Sequence, residues 1–257
     1  MATAPDGSST PGNCGTKGEE VFRRAIMTEK KLPIRGIISF VAYILLYPIV
    51  LFSNAGTTRW GMAWAYLGIS TLATIGSRLL VRRKNPDLLY ERGSAQSAKN
   101  VKDWDRKLVP IAAIYGPLAA TILAGMDFRY NWTDAIPLWG QVLALGVGTL
   151  GFIFSTWAML ENRFFSSMVR IQTERGHTVC KTGPYKIVRH PGYAGGLLWY
   201  LVTPLVLNSL WAFIPTLIAL IASVIRTALE DQTLRAELHG YEEFTRETRY
   251  RLIPGIW

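Results

Sequence analysis

The chain has 257 residues, 49% of them hydrophobic and 18% charged, with a formal net charge of +10. The apolar residues gather into long blocks almost free of charge, which excludes an ordinary soluble domain and indicates a polytopic membrane protein. With no basic groove interleaved with exposed aromatics, the positive charge reads as membrane topology and attraction to anionic lipid, not nucleic-acid binding.

In chain order, residues 1–20 are rich in Gly, Ser, Thr, Pro and Ala and are expected to be disordered. No apolar core with a small-residue cleavage site follows, so no signal peptide is expected, and Ala2 at the second position excludes N-myristoylation. Residues 21–35 suit a basic juxtamembrane segment, either a flexible tail or an amphipathic helix with Val21, Phe22, Ile26 and Met27 toward lipid. The first region is therefore 1–35.

The second region, 36–160, holds the apolar blocks Ile37–Phe52, Trp60–Val81, Leu108–Gly125 and Ile136–Leu160, read as four transmembrane helices. Between the second and third lies the basic loop 82–107, where Asn85-Pro86 breaks the preceding helix and Asp87–Arg92 starts a short interfacial one. Gly146-Val147-Gly148-Thr149-Leu150-Gly151 has the form of a dinucleotide fingerprint. It sits mid-span with no strand before it, so close helix packing is the better reading.

The third region, 161–257, contains two shorter apolar blocks, Leu197–Leu207 and Leu210–Ile225, separated by Asn208-Ser209. Counted from Gly192, the first spans about 24 Å, barely the hydrocarbon thickness, which favours a tight C-terminal helical hairpin returning to one face. Basic residues cluster before the first span, in loop 82–107, between Arg163 and Arg189, and from Arg226 onward, whereas the opposite loops hold Arg59 and Arg129. By the positive-inside rule both termini, the middle loop and the hairpin mouth face the cytoplasm. The fold class is all-α: four transmembrane helices plus the hairpin. Cys14 and Cys180 both fall on that side, where a disulfide is not expected, and His177, His190 and His239 form no metal-ligand pattern.

Chemistry concentrates at the hairpin mouth. The run from His177 through Gly183-Pro184-Tyr185 to Arg189-His190-Pro191-Gly192-Tyr193 precedes it, and Arg226-Thr227-Ala228-Leu229-Glu230-Asp231 follows. Arg226 and Glu230 are four apart and share a helix face, so a cation and an anion project together against a Gly/Pro-rich loop. That pairing suits a zwitterionic ligand. Read singly, Arg189 and Arg226 are snorkelling anchors, His190 an interfacial cap and Trp199 an aromatic-belt residue. Their ordered conjunction favours a site.

The pattern His-x5-Gly-Pro-Tyr-x3-Arg-His-Pro-x-Tyr-x-Gly, a hairpin, then Arg-x3-Glu-Asp resembles the isoprenylcysteine carboxyl methyltransferase family, related to phospholipid methyltransferases. The resemblance covers about Arg163–Trp257. It implies an S-adenosylmethionine (SAM) site at the cytoplasmic face and a lipophilic acceptor entering from the bilayer. By that resemblance His177, Thr178, Val179, Cys180, Tyr185, His190, Pro191, Gly192, Tyr193 and Glu230 line the cofactor, and Arg226 orients the acceptor's carboxylate. Two positions depart from the family pattern: Asp231 replaces the second Glu of a pair, and Cys180 stands where an aliphatic residue is common.

Methyl transfer from a sulfonium to an anionic nucleophile needs alignment and water exclusion, and no metal. An amine or thiol acceptor would need a base, for which Glu230, Asp231 or His190 is nearest. Two alternatives belong to other classes. An NADPH-dependent sterol-type reductase shares the His-Pro-x-Tyr turn and a terminal Tyr-Arg-x-x-Pro-Gly segment like Tyr250–Gly255. It would carry Asn and an acid where Gly192 and Gly196 stand. A non-catalytic membrane scaffold is the third reading.

Overall fold

The computed structural model describes residues 34–95, 98 and 100–257, as one compact unit from residue 34 onward. The expectations for residues 1–20, for the basic segment 21–35 except its last two positions, and for Cys14 lie outside the described residues. Among the described residues every regular element is helical.

Helix α1 spans Ile34–Ala55 and α2 spans Gly61–Lys84. Asn85 ends α2, and Pro86 opens α3, Pro86–Ser94, at a first-turn position where proline's missing N–H costs nothing. The Asn-Pro break and the short helix after it thus stand as the sequence indicates. Helix α4, Asp103–Pro110, runs through a π-helical turn, Ile111–Tyr115, directly into α5, Gly116–Tyr130. Helix α6 is Leu138–Glu161, α7 is Pro191–Val206, α8 is Phe213–Glu237 and α9 is Tyr241–Glu247.

Three helical rods are long and apolar enough to cross a membrane: Asp103–Tyr130, Leu138–Glu161 and Phe213–Glu237. In α1 the apolar stretch over described residues is Ile44–Ala55, and α2 ends on Arg82, Arg83 and Lys84. One boundary differs from the sequence reading. The apolar block ending at Ile225 continues as helix to Glu237, so Arg226, Glu230 and Asp231 lie on α8 itself and not on a segment beyond it. Leucine, alanine and glutamate after Ile225 sustain the helix where hydropathy falls.

Helix α6 packs most extensively on α7, and α1 on α5, while α8 contacts both α5 and α7. Small residues set the first contact. A Cβ on Gly151 would come within 2.7 Å of the Gly195 carbonyl oxygen, and one on Gly148 within 2.7 Å of Val202. The glycine-rich run in α6 is therefore a helix-packing face, as expected. On α7 the close-approach residue is Gly195; Gly196 has open space around it, and Gly192 faces the Phe165 ring.

The end of the bundle remote from the hairpin mouth is tied by a buried carboxylate. Asp127 accepts the Thr133 N–H at 2.8 Å, the Thr133 hydroxyl at 2.6 Å and the Ser209 hydroxyl at 2.6 Å. Asn208, in the left-handed region at φ 50°, accepts the Ile136 N–H at 2.5 Å. The α5–α6 and α7–α8 turns are thereby fastened to each other, which fixes how α7 and α8 present their other ends.

Candidate active site

At the opposite end, a cavity of about 400 Å³ opens between the mouth of α7, the middle of α8, the π turn and the loop 162–190. That size lies within the range of small-molecule sites. Phe164, Phe165, Val179, Leu197, Leu234 and Phe244 supply its apolar lining, and Arg92, His177, Arg189, His190, Tyr193, Arg226 and Glu230 supply polar groups.

Of the residues singled out from sequence, His177, Thr178, Val179, Cys180, Tyr185, His190, Gly192, Tyr193, Arg226 and Glu230 all line this one cavity. Pro191 does not. It is buried at the first turn of α7, where its ring fixes the entry of the helix. Asp231 is also outside the lining: it is fully buried behind Arg189, His190 and Tyr241, which line the cavity and bond to it.

Asp231 is the hub of the tail. Its carboxylate accepts Arg189 Nε at 2.7 Å, Arg251 Nε at 3.0 Å, Arg235 Nε at 3.2 Å and the Tyr241 hydroxyl at 3.1 Å, with His190 Nε2 at 3.2 Å. Arg189 further donates to the Thr248 and Arg249 carbonyls, at 2.9 and 2.6 Å. The backbone follows: Arg189 N–H donates to Tyr250 O at 2.9 Å and His190 N–H to Arg251 O at 3.0 Å. The segment after α9 is thus clamped against the His-Pro turn.

Glu230 does face the cavity, where it accepts the Tyr193 hydroxyl at 2.6 Å. The Tyr193 ring in turn lies 5.2 Å from the Arg226 guanidinium carbon, a cation–π distance. Arg226 is held elsewhere too. Its Nε and Nη2 donate to the two oxygens of Asp105 at 2.6 and 3.2 Å, and Nη2 also donates to the Ser167 carbonyl at 2.9 Å. Asp105 is fully buried and accepts the Val169 N–H at 2.7 Å as well. This carboxylate, on the basic loop's second helix, gave no sequence signal. Its position opposite Arg226 depends on a separation of more than a hundred residues.

Loop 162–190 is fastened by its own charges. Arg170 donates to both oxygens of Glu91, at 2.9 and 2.8 Å, and to Glu174 at 2.7 Å. His177 stacks on Phe164 with 4.5 Å between ring centroids, and its Nδ1 accepts the Gln172 N–H at 3.3 Å. Burial, aided by Arg175 and Arg170, pushes the imidazole down to about 4, so it is neutral at physiological pH. Burial likewise raises Tyr185, whose hydroxyl accepts from Asn162 Nδ2 at 3.2 Å.

Among the described residues Thr178 and Val179 make no hydrogen bond to other backbone groups, although they line the cavity. These two residues can offer N–H and C=O groups to the edge of a planar heterocycle. A nearby carboxylate, Glu230, suits an ammonium or hydroxyl group. The donor set, the apolar lining and the volume fit a nucleoside-bearing zwitterion such as SAM.

Residues 143–236 match the model of the isoprenylcysteine carboxyl methyltransferase (ICMT) family. The match spans α6 through nearly all of α8, including every lining residue that the motif named. It bears out the resemblance carried by the motifs and supports a membrane methyltransferase. No curated protein matches the chain.

Proposed function

We propose, taking the ICMT family match over residues 143–236 as premise, that the protein is a SAM-dependent methyltransferase acting on a lipophilic acceptor, with its site at the cytoplasmic membrane face. The observation that carries this reading is convergence. The loop 177–193 and the α8 residues Arg226 and Glu230, far apart in sequence, line a single cavity of cofactor size.

The bound cofactor supplies an electrophilic methyl group on a sulfonium. The protein's residues supply position. Thr178 and Val179 present backbone groups and His177 a neutral imidazole, which adds no positive charge beside a cationic sulfonium. Glu230 receives the cofactor's polar end while the Tyr193 hydroxyl fixes its rotamer. Phe165, packed over Gly192, and Phe244 exclude water. Holding donor and acceptor in line in a dry cavity can contribute roughly 7–11 kcal/mol to the barrier reduction. Proton transfer is not required if the nucleophile is a carboxylate. Asp231, fully buried and saturated by three arginines, is a support for the site and not a base in it.

Calorimetric titration of detergent-purified protein with S-adenosylhomocysteine, and separately with NADPH, tests the reading. Micromolar or tighter binding of the first alone is expected. Glu230→Ala should weaken that binding by at least about tenfold, as loss of a charge-assisted hydrogen bond does. NADPH binding alone would transfer the site to a reductase, and an unchanged affinity in Glu230→Ala would remove Glu230 from the cofactor's contacts.

A further inference from the structure

Four guanidinium groups line the cavity: Arg92, Arg170, Arg189 and Arg226. Three of them are already neutralised. Arg170 has Glu91 and Glu174, Arg189 has Asp231, and Arg226 has Asp105. The Asp105 pairing is side-on, through Nε and Nη2, and the Ser167 carbonyl takes a further bond from Nη2. Arg226 therefore retains only Nη1 for a ligand. A carboxylate wanting two parallel N–H donors finds that fork occupied.

Arg92 differs. It lies on α3, it is half-buried, and among the described residues its side chain has no carboxylate partner and no hydrogen bond. Its guanidinium carbon sits 5.4 Å from the centroid of the Phe165 ring. The same ring covers Gly192 at the start of α7. A cation laid on an aromatic face keeps its N–H edge free. Burial together with the nearby charges of Arg78 and Arg226 pushes its guanidinium down to about 10, which leaves it charged at neutral pH but starved of a counter-charge. Even a half-buried cation without a counter-charge is costly, and the structure retains one beside the cavity.

We infer that Arg92 is the anchor for an anionic group of the methyl acceptor, receiving a carboxylate between the Phe165-stacked guanidinium and the remaining Nη1 of Arg226. This rests on the methyltransferase reading and deepens it by assigning the residue that reads the acceptor's charge. The carboxylate that the matched family's name implies is then read from α3, outside the family-matched segment. Arg226, clamped between Asp105, Ser167 and Tyr193, holds the wall in register.

The probe pair is N-acetyl-S-farnesylcysteine and its methyl ester, which differ in one negative charge. Each is titrated into full-length protein saturated with S-adenosylhomocysteine. Wild type should prefer the acid over the ester by about tenfold or more, the range of a charge-assisted bidentate contact. In Arg92→Gln that preference should fall to near unity, while affinity for S-adenosylhomocysteine stays within about twofold of wild type. Arg92→Lys keeps the charge but loses the planar fork, so its preference should be intermediate. It also decides the matter if the Gln variant fails to fold, because a wild-type preference in Arg92→Lys would overturn the assignment. An acid preference retained in Arg92→Gln, or absent in wild type, overturns it too. Failure of the methyltransferase reading shows separately, as no binding of S-adenosylhomocysteine to wild type.

Discussion

At the scale of the residue, two acids one position apart on α8 do different work because a helix turns about 100° per residue. Glu230 faces the cavity and Asp231 faces the tail. Replacing Asp231 by Asn would leave Arg189, Arg235 and Arg251 competing for a neutral amide. Removing one partner from a buried ion pair typically costs about 3–5 kcal/mol. A thermal melt in detergent should show Asp231→Asn strongly destabilised, and a melting temperature within a degree or so of wild type would refute the hub role. His177 gives a pH signature. Its folded pKa of about 4 lies below the ordinary value of 6.5, so between these values the unfolded chain takes up a proton that the folded one refuses. The stability associated with it is therefore complete above 6.5 and declines as the pH falls toward 4. His177→Gln should flatten that part of the melting-temperature profile; an identical acid limb in both proteins would argue against a buried neutral imidazole.

Much of this residue-level picture was legible in the sequence. Ten of the eleven assigned site residues line one cavity, because the motif places them on two short stretches that the α7–α8 turn brings together. Pro191 alone lies outside the lining, since a proline adjacent to a ligand wall can serve to start the helix behind it. Arg92 and Asp105 were not legible. Each sits in a loop of many charges, and what distinguishes them is the presence or absence of a partner across the fold, a property that no local pattern carries.

At the scale of the element, the α6–α7 contact has no slack. Backbone of one helix lies where a side chain of the other would have to go, at Gly151 and Gly195. Gly195→Leu should force the helices apart, with an overpacking cost of about 1–3 kcal/mol. Since Gly192, His190 and Tyr193 ride on the same helix entry, affinity for S-adenosylhomocysteine should fall with it. Gly196→Leu, at a position with nothing within 4 Å, should be tolerated for stability, and equal melting temperatures for the two variants would refute the packing argument. The four-residue spacing of Gly192 and Gly196 suggests that pair as the packing face, but it is Gly195 that meets α6. Choosing among them requires the crossing point of two helices, which depends on both partners.

At the scale of the whole molecule, three charged contacts join segments that hydropathy reads as separate. Arg170–Glu91 ties loop 162–190 to α3, Arg226–Asp105 ties α8 to α4, and Lys102–Glu237, at 2.6 Å, ties the end of α8 to the residue before α4. The basic loop is thereby part of the cavity wall and not merely a topological marker. The Arg226–Asp105 pair should show strong coupling. In a cycle of Arg226→Gln, Asp105→Asn and the double variant, the double should be less destabilised than the sum of the singles by more than about 1 kcal/mol, because each single strands a buried charge. Additive effects on melting would mean that the two groups act independently.

The π turn at Ile111–Tyr115 joins the loop helix α4 to the membrane rod α5. A π turn accommodates an extra residue without breaking the rod, so it acts as a phase adjuster between the two halves. Below it, α5 presents Gly116 against Ala219 of α8; above it, α4 aims Asp105 at Arg226. Remove a single residue there and the rod would straighten to ordinary helix, with its upper half rotated by about 100° relative to the lower. Asp105 would then point elsewhere, and Arg226 would regain the free fork it now lacks. The choice of which arginine greets the acceptor is thus encoded in the angular offset of one helix, at a place in the chain remote from both arginines.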